Sequence, residues 1–522
     1  MRTRIAAPIL TALICLLASG CKVTSEDIDY WMGTQKGPGK IVAVLLADKY
    51  EDELRSYAGL ALVRMEPRPP SRGHDPIDGV TELQAAVRRL DDETRERLVD
   101  SMAPELIRMM RGESTPNATE GEGIPPLQIR AKDAAFLVLP YAGEARRQEM
   151  SDAIVDWFAV DFDARNLSGN FSAEQVIRQL GAPAAERLVG AMNARLPQQA
   201  LIKVAELIAS LGDRSTKAEA ASRLVEIERE MESEEYTDYL RQRLRDQLRA
   251  SRGEDAEIDE QAVNAAAVLN RENFITLGAL PAMKHLNDQA VIQDRLLEMA
   301  QVTEVEGLAA QKIEDRRVKA LQAMEGGVRA EQVDALVQLA LSDESPTAVR
   351  DYAFDRIADS RSTAAIPQLW PAFAETGDWR VRWRIGSLIL TLGGADVVQD
   401  FFNRLDDESY AREELHGYGE RLAGMRPPPT EFVLSQLTSE QWHDRAVALY
   451  FLERHAENEA DVARITALSG DEAETNGEHW EDQDTIGEVA TAVAGAVRQR
   501  LGQDDDSEDD EDSEGSSSGE GE

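Results

Sequence analysis

The sequence predicts an all-α fold, an α-solenoid of stacked helical hairpins. Helix formers such as Ala, Leu, Glu and Arg dominate the composition, whereas strand-type runs rich in Val, Ile, Thr and Tyr are nearly absent. From Ile41 onward the apolar residues recur at the spacing of a helix face. The pattern also repeats along the chain, and 522 residues are more than a single compact core requires. A repeat array follows from these three observations.

The repeat is clearest in the C-terminal half, where basic residues recur every 30 to 33 positions near the start of an apolar stretch. These residues are Lys319, Arg350, Arg382, Arg412 and Arg445. A turn and a second apolar stretch follow each one; the second stretches are 333–341, 366–373, 397–405, 432–437 and 462–468. Two short amphipathic helices cannot bury their apolar faces alone, but stacking on the next pair forms a continuous core.

One unit illustrates the local physics. Its apolar residues follow the spacing i, i+4, i+7, i+8, i+11 and form one stripe: Val381, Ile385, Leu388, Ile389 and Leu392. Gly393 and Gly394 predict the end of that helix, because glycine adopts the left-handed cap conformation without a Cβ clash. The N-terminal half shows the same units less regularly, with two longer helices over 216–252 and Pro/Gly-rich insertions at 66–79 and 112–126.

Three sequence features together resemble HEAT repeats. They are the Val-Arg helix starts, the Leu-Gly-Asp turn at 211–213 and the Ala-Ile-Pro-Gln-Leu start at 365–369. The short period is similar to the variety found in phycobilisome-lyase-like arrays. The resemblance implies a HEAT-like superhelix over residues 41–500, with a long surface suited to binding other proteins.

The N-terminus has the pattern of an export signal. Arg2 and Arg4 precede an uncharged run from Ile5 to Ala18, and small residues lead into Cys21. The Ala-Ser-Gly-Cys ending resembles the lipobox of bacterial lipoproteins. That resemblance implies a signal peptide over 1–20, a lipid on Cys21, attachment to a bilayer through N-terminal acyl chains, and a place in the bacterial cell envelope. The alternative is an ordinary signal peptide cut nearby.

In lipoproteins of this type, a lysine after the lipidated cysteine, here Lys22, favours sorting to the outer membrane.

Residues 21–40 contain few apolar residues and predict a tether. A near match to a phosphate loop at 33–40 fails in its spacing and lacks a preceding strand. Residues 503–522 contain acidic but no basic side chains and nothing apolar to bury, so they predict a disordered acidic tail.

Composition excludes several classes of function. The net charge of −40 argues against binding nucleic acid. Cys15 and Cys21 are the only cysteines, so the mature body has no cysteine for a zinc site, a disulfide or a thiol nucleophile. The six histidines form no metal-binding spacing, and no Ser-His-acid set stands out. We therefore predict a non-enzymatic protein with no cofactor and no metal.

Two surface patches are candidate interaction sites. The first combines tryptophans with arginines, residue types enriched at binding hot spots, and consists of Trp370, Trp379, Arg380, Arg382, Trp383 and Arg384. The second is an arginine stripe that could dock an acidic partner, and it consists of Arg241, Arg245 and Arg249. The structural alternatives remain open: the tryptophans can fill the core between repeats, and the arginines can pair with neighbouring acids.

The leading functional hypothesis is a lipidated, membrane-tethered HEAT-repeat scaffold that binds an unidentified envelope protein. Two alternatives stay open. A lyase-like or enzyme-accessory protein would bind a small molecule in a concave groove. A cation-buffering spacer would act through the acidic tail.

Overall fold

A computed structural model describes residues 22–69, 76–113, 124–253, 257–406 and 409–509, with side chains as far as Gly502. Over these ranges the regular structure is helical apart from two isolated β-bridges, Arg68–Ile77 and Glu474–Thr485. The prediction of an all-α fold is confirmed. The chain divides into two compact units, Met1–Val291 and Ile292–Glu522.

The first unit contains fifteen α-helices within its described residues. They are α1 (Ser25–Met32), α2 (Gly37–Leu46), α3 (Asp52–Arg64), α4 (Gly79–Val87), α5 (Asp92–Met110), α6 (Pro126–Val138), α7 (Glu144–Val160), α8 (Phe162–Arg165), α9 (Ala173–Leu180), α10 (Ala182–Val189), α11 (Gln198–Leu211), α12 (Arg214–Glu232), α13 (Glu234–Arg252), α14 (Glu260–Phe274) and α15 (Leu280–Lys284). A π-helical segment, Ile275–Ala279, joins α14 to α15.

Alternate helices of the first unit pack on one another in two layers. In one layer α2 contacts α4 and α4 contacts α6, and in the other α3 contacts α5 and α5 contacts α7. The second layer continues through α10 to α12. The predicted pair of longer helices over 216–252 is present as α12 and α13, each of 19 residues. This is the stacking of helical hairpins that the repeat pattern predicts.

The second unit contains the regular repeats. Its helices are α16 (Ala290–Ala300), α17 (Ala310–Ala323), α18 (Val333–Leu341), α19 (Thr347–Ser360), α20 (Ile366–Glu375), α21 (Trp379–Gly393), α22 (Val398–Phe402), α23 (Arg412–Ala423), α24 (Thr430–Ser435), α25 (Trp442–His455), α26 (Glu459–Thr466) and α27 (Ile486–Asp509). The five basic ladder residues lie on α17, α19, α21, α23 and α25 in turn.

The first helices of successive pairs in the second unit, α17, α19, α21, α23, α25 and α27, pack side by side in that order. The predicted second stretches correspond to α18, α20, α22, α24 and α26. Glycines allow two close helix approaches: a Cβ at Gly386 would lie 2.7 Å from the Tyr418 ring, and one at Gly419 would lie 2.7 Å from the Phe451 nitrogen. The predicted α-solenoid packing is therefore present in this unit.

The end of α21 follows the predicted glycine signal. The helix ends at Gly393, and Gly394 adopts a φ of +57°, a conformation that residues with a Cβ rarely adopt. The chain then turns through a short 3₁₀ segment, Gly394–Val397, into α22.

Trp379–Phe402 is the one described stretch long and apolar enough to cross a membrane, and half of it is buried inside the fold, as expected of a core helix.

The prediction of a tether over residues 21–40 is wrong from Ser25 onward. Thr24 and Asp27 form a capping box, in which each side chain bonds the other's backbone N–H, and this starts α1. Ile28 is fully buried, and the Tyr57 hydroxyl donates to Asp29 at 2.7 Å. Few apolar residues suffice here because the helix packs on α2 and α3.

Several sequence predictions concern residues outside the described ranges. The signal peptide and Cys21 are among them, as are residues 70–75 and 114–123 of the two insertions. The helix α27 continues to Asp509, so its last turns overlap the segment predicted as an acidic tail. Residues 510–522 of that tail lie outside the described part.

Candidate binding groove

A groove lies in the second unit between the N-terminal half of α21 and the facing side of α23. Four residues of α21 line it at helical spacing: Trp379, Arg380, Trp383 and Arg384. The opposite wall comes from α23 and is made by Arg412, Glu413, His416, Gly417 and Glu420. The volume of the groove is about 640 Å³. We refer to this feature as the Trp/Arg groove.

The groove continues along the same two helices. A second depression of about 530 Å³ shares Trp383, Gly417 and Glu420 with the first and extends to Leu390 and Met425. The two depressions together follow more than two turns of α21. An elongated surface of this kind matches an extended or helical protein segment better than a compact metabolite.

Gly417 allows the indole of Trp383 to lie against the backbone of α23. A Cβ at position 417 would lie 2.2 Å from Trp383 Nε1, so any side chain there would displace the ring. The same Nε1 is buried and has no hydrogen-bond partner within the described residues. The ring therefore forms a fixed apolar wall of the groove.

The charges in the groove are mixed. Arg380 is exposed, and its guanidinium lies 4.7 Å from the centre of the Trp379 ring. Among the described residues, no carboxylate lies within ion-pair distance of Arg380. Arg384 is held by Asp351 and Asp355, each at 3.4 Å. Arg380 is thus the cation of α21 most available to a partner.

Arg382 does not belong to this surface, and the prediction that placed it there is wrong. Its side chain is 7% exposed, and Nε donates to Glu414 Oε1 at 2.6 Å while Nη2 donates to Glu414 Oε2 at 2.9 Å. Its guanidinium also lies 4.5 Å from the centre of the Tyr410 ring. Arg382 ties α21 to α23 inside the core.

Trp370 is also separate from the groove, contrary to the predicted patch. It lies on α20, in the other layer of the unit, with its ring edge on Phe373 at 6.0 Å. The Arg404 guanidinium covers its face at 4.8 Å. Trp370 is half-buried against its own helix and the residues after α22, outside the Trp/Arg groove.

A loop at residues 470–485, between α26 and α27, folds back onto the starts of α21 and α23. Trp379 Nε1 donates to Glu478 Oε2 at 3.0 Å, and His479 Nδ1 lies 2.8 Å from Glu413 Oε2. The Arg412 amide donates to the Glu478 carbonyl at 3.1 Å. We call this segment the brace loop, because it holds Trp379 and Glu413 at one end of the groove.

The brace loop is expected to loosen as pH rises. Glu413 raises the pKa of His479 by hydrogen bonding and charge, with smaller contributions from Glu478 and Glu481. A raised histidine pKa contributes stability at low pH and loses it as pH rises through that value. We expect amide exchange of 470–485, corrected for intrinsic rates, to accelerate between pH 6 and 9.

The matched variant for this prediction is His479→Gln, which cannot be protonated. Its corrected exchange should show no acceleration over the same range. Equal pH dependence in the wild type and the variant would contradict a role for His479 in the brace.

The predicted arginine stripe lies on α13, and its members have acidic partners. Arg241 pairs with Glu234 and Asp238, and Arg245 pairs with Glu260 at 2.7 Å. Arg249 lies 3.8 Å from Asp246. These pairs agree with the structural alternative, in which nearby acids neutralise the stripe.

Within the described residues, no group of three or more His, Cys, Asp or Glu side chains could hold a metal ion. Four of the histidines each have a polar side-chain partner within hydrogen-bond distance. They are His416 with Glu453, His443 with Asp444, His455 with Thr430, and His479 with Glu413.

Sequence reasoning missed the α23 wall of the groove. One signal could have found part of it. Gly417 lies in the middle of a helix, where glycine is unfavourable unless another group approaches closely.

Comparison with known proteins identifies no family. No family model and no curated protein matches the chain. Among solved structures, a Kap121p mutant is similar at 11% identity and a TM-score of 0.35, and importin beta in an ammonium sulfate condition at 13% and 0.25. Each match covers 92% of this chain, which spans 54% and 62% of those two structures. The architecture given above therefore depends on the helix contacts alone.

Proposed function

We propose that this protein is a non-catalytic helical-repeat scaffold that binds a partner protein of the bacterial envelope through the Trp/Arg groove. The observation that carries the proposal is the groove itself. It presents two indole rings and one unpaired arginine on a rigid helix pair, which is the composition of a binding hot spot.

The form of the groove supports a protein partner over a metabolite. It is elongated, and its polar groups are distributed along both helices, from Arg380 to Arg384 on α21 and from Arg412 to Glu420 on α23. Small-molecule sites are typically concave, with a few convergent polar groups. The enzyme-accessory alternative predicts the opposite arrangement.

The proposal is tested by co-purification from detergent-solubilised envelopes. We expect wild-type protein to retain a specific partner that the double variant Trp379→Ala/Arg380→Glu loses. Trp370→Ala is the matched control and should retain it, because Trp370 lies outside the groove. Equal recovery with all three proteins would contradict the groove as the binding site.

We further propose that a lipid on Cys21 anchors the scaffold to a membrane, in keeping with the lipobox-like sequence. Each buried CH₂ contributes about 0.8 kcal/mol to membrane binding, so a single acyl chain binds reversibly and several anchor durably. Since α1 begins at Ser25, the folded part would start only a few residues from the bilayer surface. The first unit would then lie near that surface.

Labelling with a palmitate analogue tests this anchor. Wild-type protein should incorporate the label, and its N-terminal peptide should begin at an acylated Cys21. Cys21→Ser should incorporate none. Cys15→Ser, which changes the other cysteine, should still be labelled. A wild-type N-terminal peptide without an acyl group would refute lipidation.

A further inference from the structure

The first unit contains a second groove, independent of the Trp/Arg groove, between α13 and the α14–π-helix junction. Its volume is about 460 Å³, and Arg195, Pro197 and Gln198 also line it. Phe274 lines the groove, and the buried Tyr236 packs against it edge to face with the two rings 6.2 Å apart. The Tyr236 hydroxyl donates to the Ala194 carbonyl at 3.0 Å, which holds the ring in place behind Phe274.

The π-helical segment shapes this groove. A π-helix widens the backbone by one residue per turn and often marks a functional site. Gln198 Nε2 donates to the Asn273 carbonyl at 2.9 Å, at the point where α14 passes into the π-helix. Leu277, within the π-helix, is 49% exposed and faces the groove together with Leu244. The result is an apolar strip on an otherwise acidic protein.

The groove is unusual in charge for a chain with a net charge of −40. Its lining contains Arg195 and Arg243 but no carboxylate. Both arginines are exposed, and Arg195 lies over the Tyr239 ring at 5.0 Å. Within the described ranges, neither guanidinium has a carboxylate oxygen at ion-pair distance. By contrast, the arginines of the stripe on α13 have carboxylate partners.

We propose that this groove docks an acidic, leucine-containing segment of a partner protein. Carboxylates of the segment would pair with Arg195 and Arg243, and its apolar side chains would cover Leu244 and Leu277. Four side-chain amides in the lining supply donors and acceptors for the partner's backbone: Gln198, Gln247, Asn270 and Asn273.

Charge and apolar surface together select this occupant. A nucleic acid would satisfy the arginines, but its phosphates would leave the leucines exposed and meet the negative charge of the surrounding protein. The chain's own tail offers carboxylates but no apolar residue after Leu501. A segment carrying both acidic and apolar side chains satisfies the whole lining.

The experiment measures fluorescence anisotropy of a labelled Glu/Leu amphipathic peptide with the full-length protein at physiological salt. We expect binding that a matched Lys/Leu peptide does not show. The variant Arg195→Glu/Arg243→Glu should weaken it by about tenfold or more. Arg249→Glu is the matched control, on the same helix but outside the groove, and should change affinity less than about twofold.

Three results would overturn the proposal. The first is equal binding of the Glu/Leu peptide to wild-type protein and the Arg195→Glu/Arg243→Glu variant. The second is tighter binding of a synthetic 503–522 peptide, which would make the tail the occupant. The third is binding of single-stranded DNA that depends on both arginines when the Glu/Leu peptide does not bind. None of these results depends on the Trp/Arg groove.

Discussion

Replacing Arg382 with alanine should lower the free energy of unfolding of the second unit by about 3–5 kcal/mol, because the change leaves Glu414 buried without its charge partner. Glu414 is completely buried, and besides Arg382 it bonds the Tyr418 hydroxyl, 3.0 Å from Oε1, and the Ala411 backbone. Urea-dependent hydrogen exchange of peptides from α21 and α23 measures the effect in this unit.

The decrease in the free energy of unfolding caused by Arg382→Ala should depend on pH. Burial already raises the pKa of Glu414, with the Arg382 hydrogen bonds opposing it. Without Arg382 that pKa rises further, and a raised carboxyl pKa contributes stability at low pH that is lost as pH rises through it. The destabilisation at pH 5 should therefore be smaller than at pH 8.

A double variant separates the buried charge from lost packing. Arg382→Met/Glu414→Met replaces both partners with apolar side chains and should recover most of the stability. The exposed neighbour provides a second control, since Arg380→Ala should change stability by no more than about 0.5 kcal/mol. An Arg382→Ala variant within about 1 kcal/mol of wild type would contradict this account of the pair.

Replacing Trp379 with alanine should weaken partner binding by about 2 kcal/mol or more, roughly 30-fold. The indole lies at the brace-loop end of the groove beside the unpaired Arg380, and its truncation removes apolar area at the contact. Biolayer interferometry with the co-purified partner measures the dissociation constant. Arg380→Glu should mainly slow association, with an effect that shrinks as salt rises.

Trp370→Ala is the control for the binding effects of Trp379→Ala and Arg380→Glu. It removes the same side chain from the neighbouring repeat helix and should leave the dissociation constant unchanged. A loss at Trp370 equal to that at Trp379 would indicate that tryptophan removal disturbs the repeat stack rather than the groove. Exchange of the brace loop should be followed in Trp379→Ala, because that indole donates to Glu478.

The repeat order could be predicted from the sequence because apolar spacing and glycine turns are local signals. The second stretch 333–341 corresponds to α18, and the Gly393–Gly394 turn lies where the pattern placed it. The tether prediction failed for a related reason. A helix as short as α1 has too little apolar periodicity to detect, and its stability comes from the Thr24 cap and from packing on distant helices.

The site residues could be predicted only in part. A cluster in sequence is not a cluster on a helix face: Trp379, Arg380, Trp383 and Arg384 share one face at i, i+4, but Arg382 points to the core. That separation follows from helical spacing and was available from the sequence. The pairing of Arg382 with Glu414, 32 positions away, depends on tertiary contact and was not.

The central claim is that the Trp/Arg groove binds a protein in the envelope, and site-specific photo-cross-linking in intact cells tests it most directly. A photoreactive phenylalanine at Thr391, which is exposed on α21 and lines the second depression, should cross-link one discrete protein. The same residue at Gln399, exposed on α22 in the other layer, should not. No cross-link from position 391, or equal cross-linking from both positions, would contradict the claim.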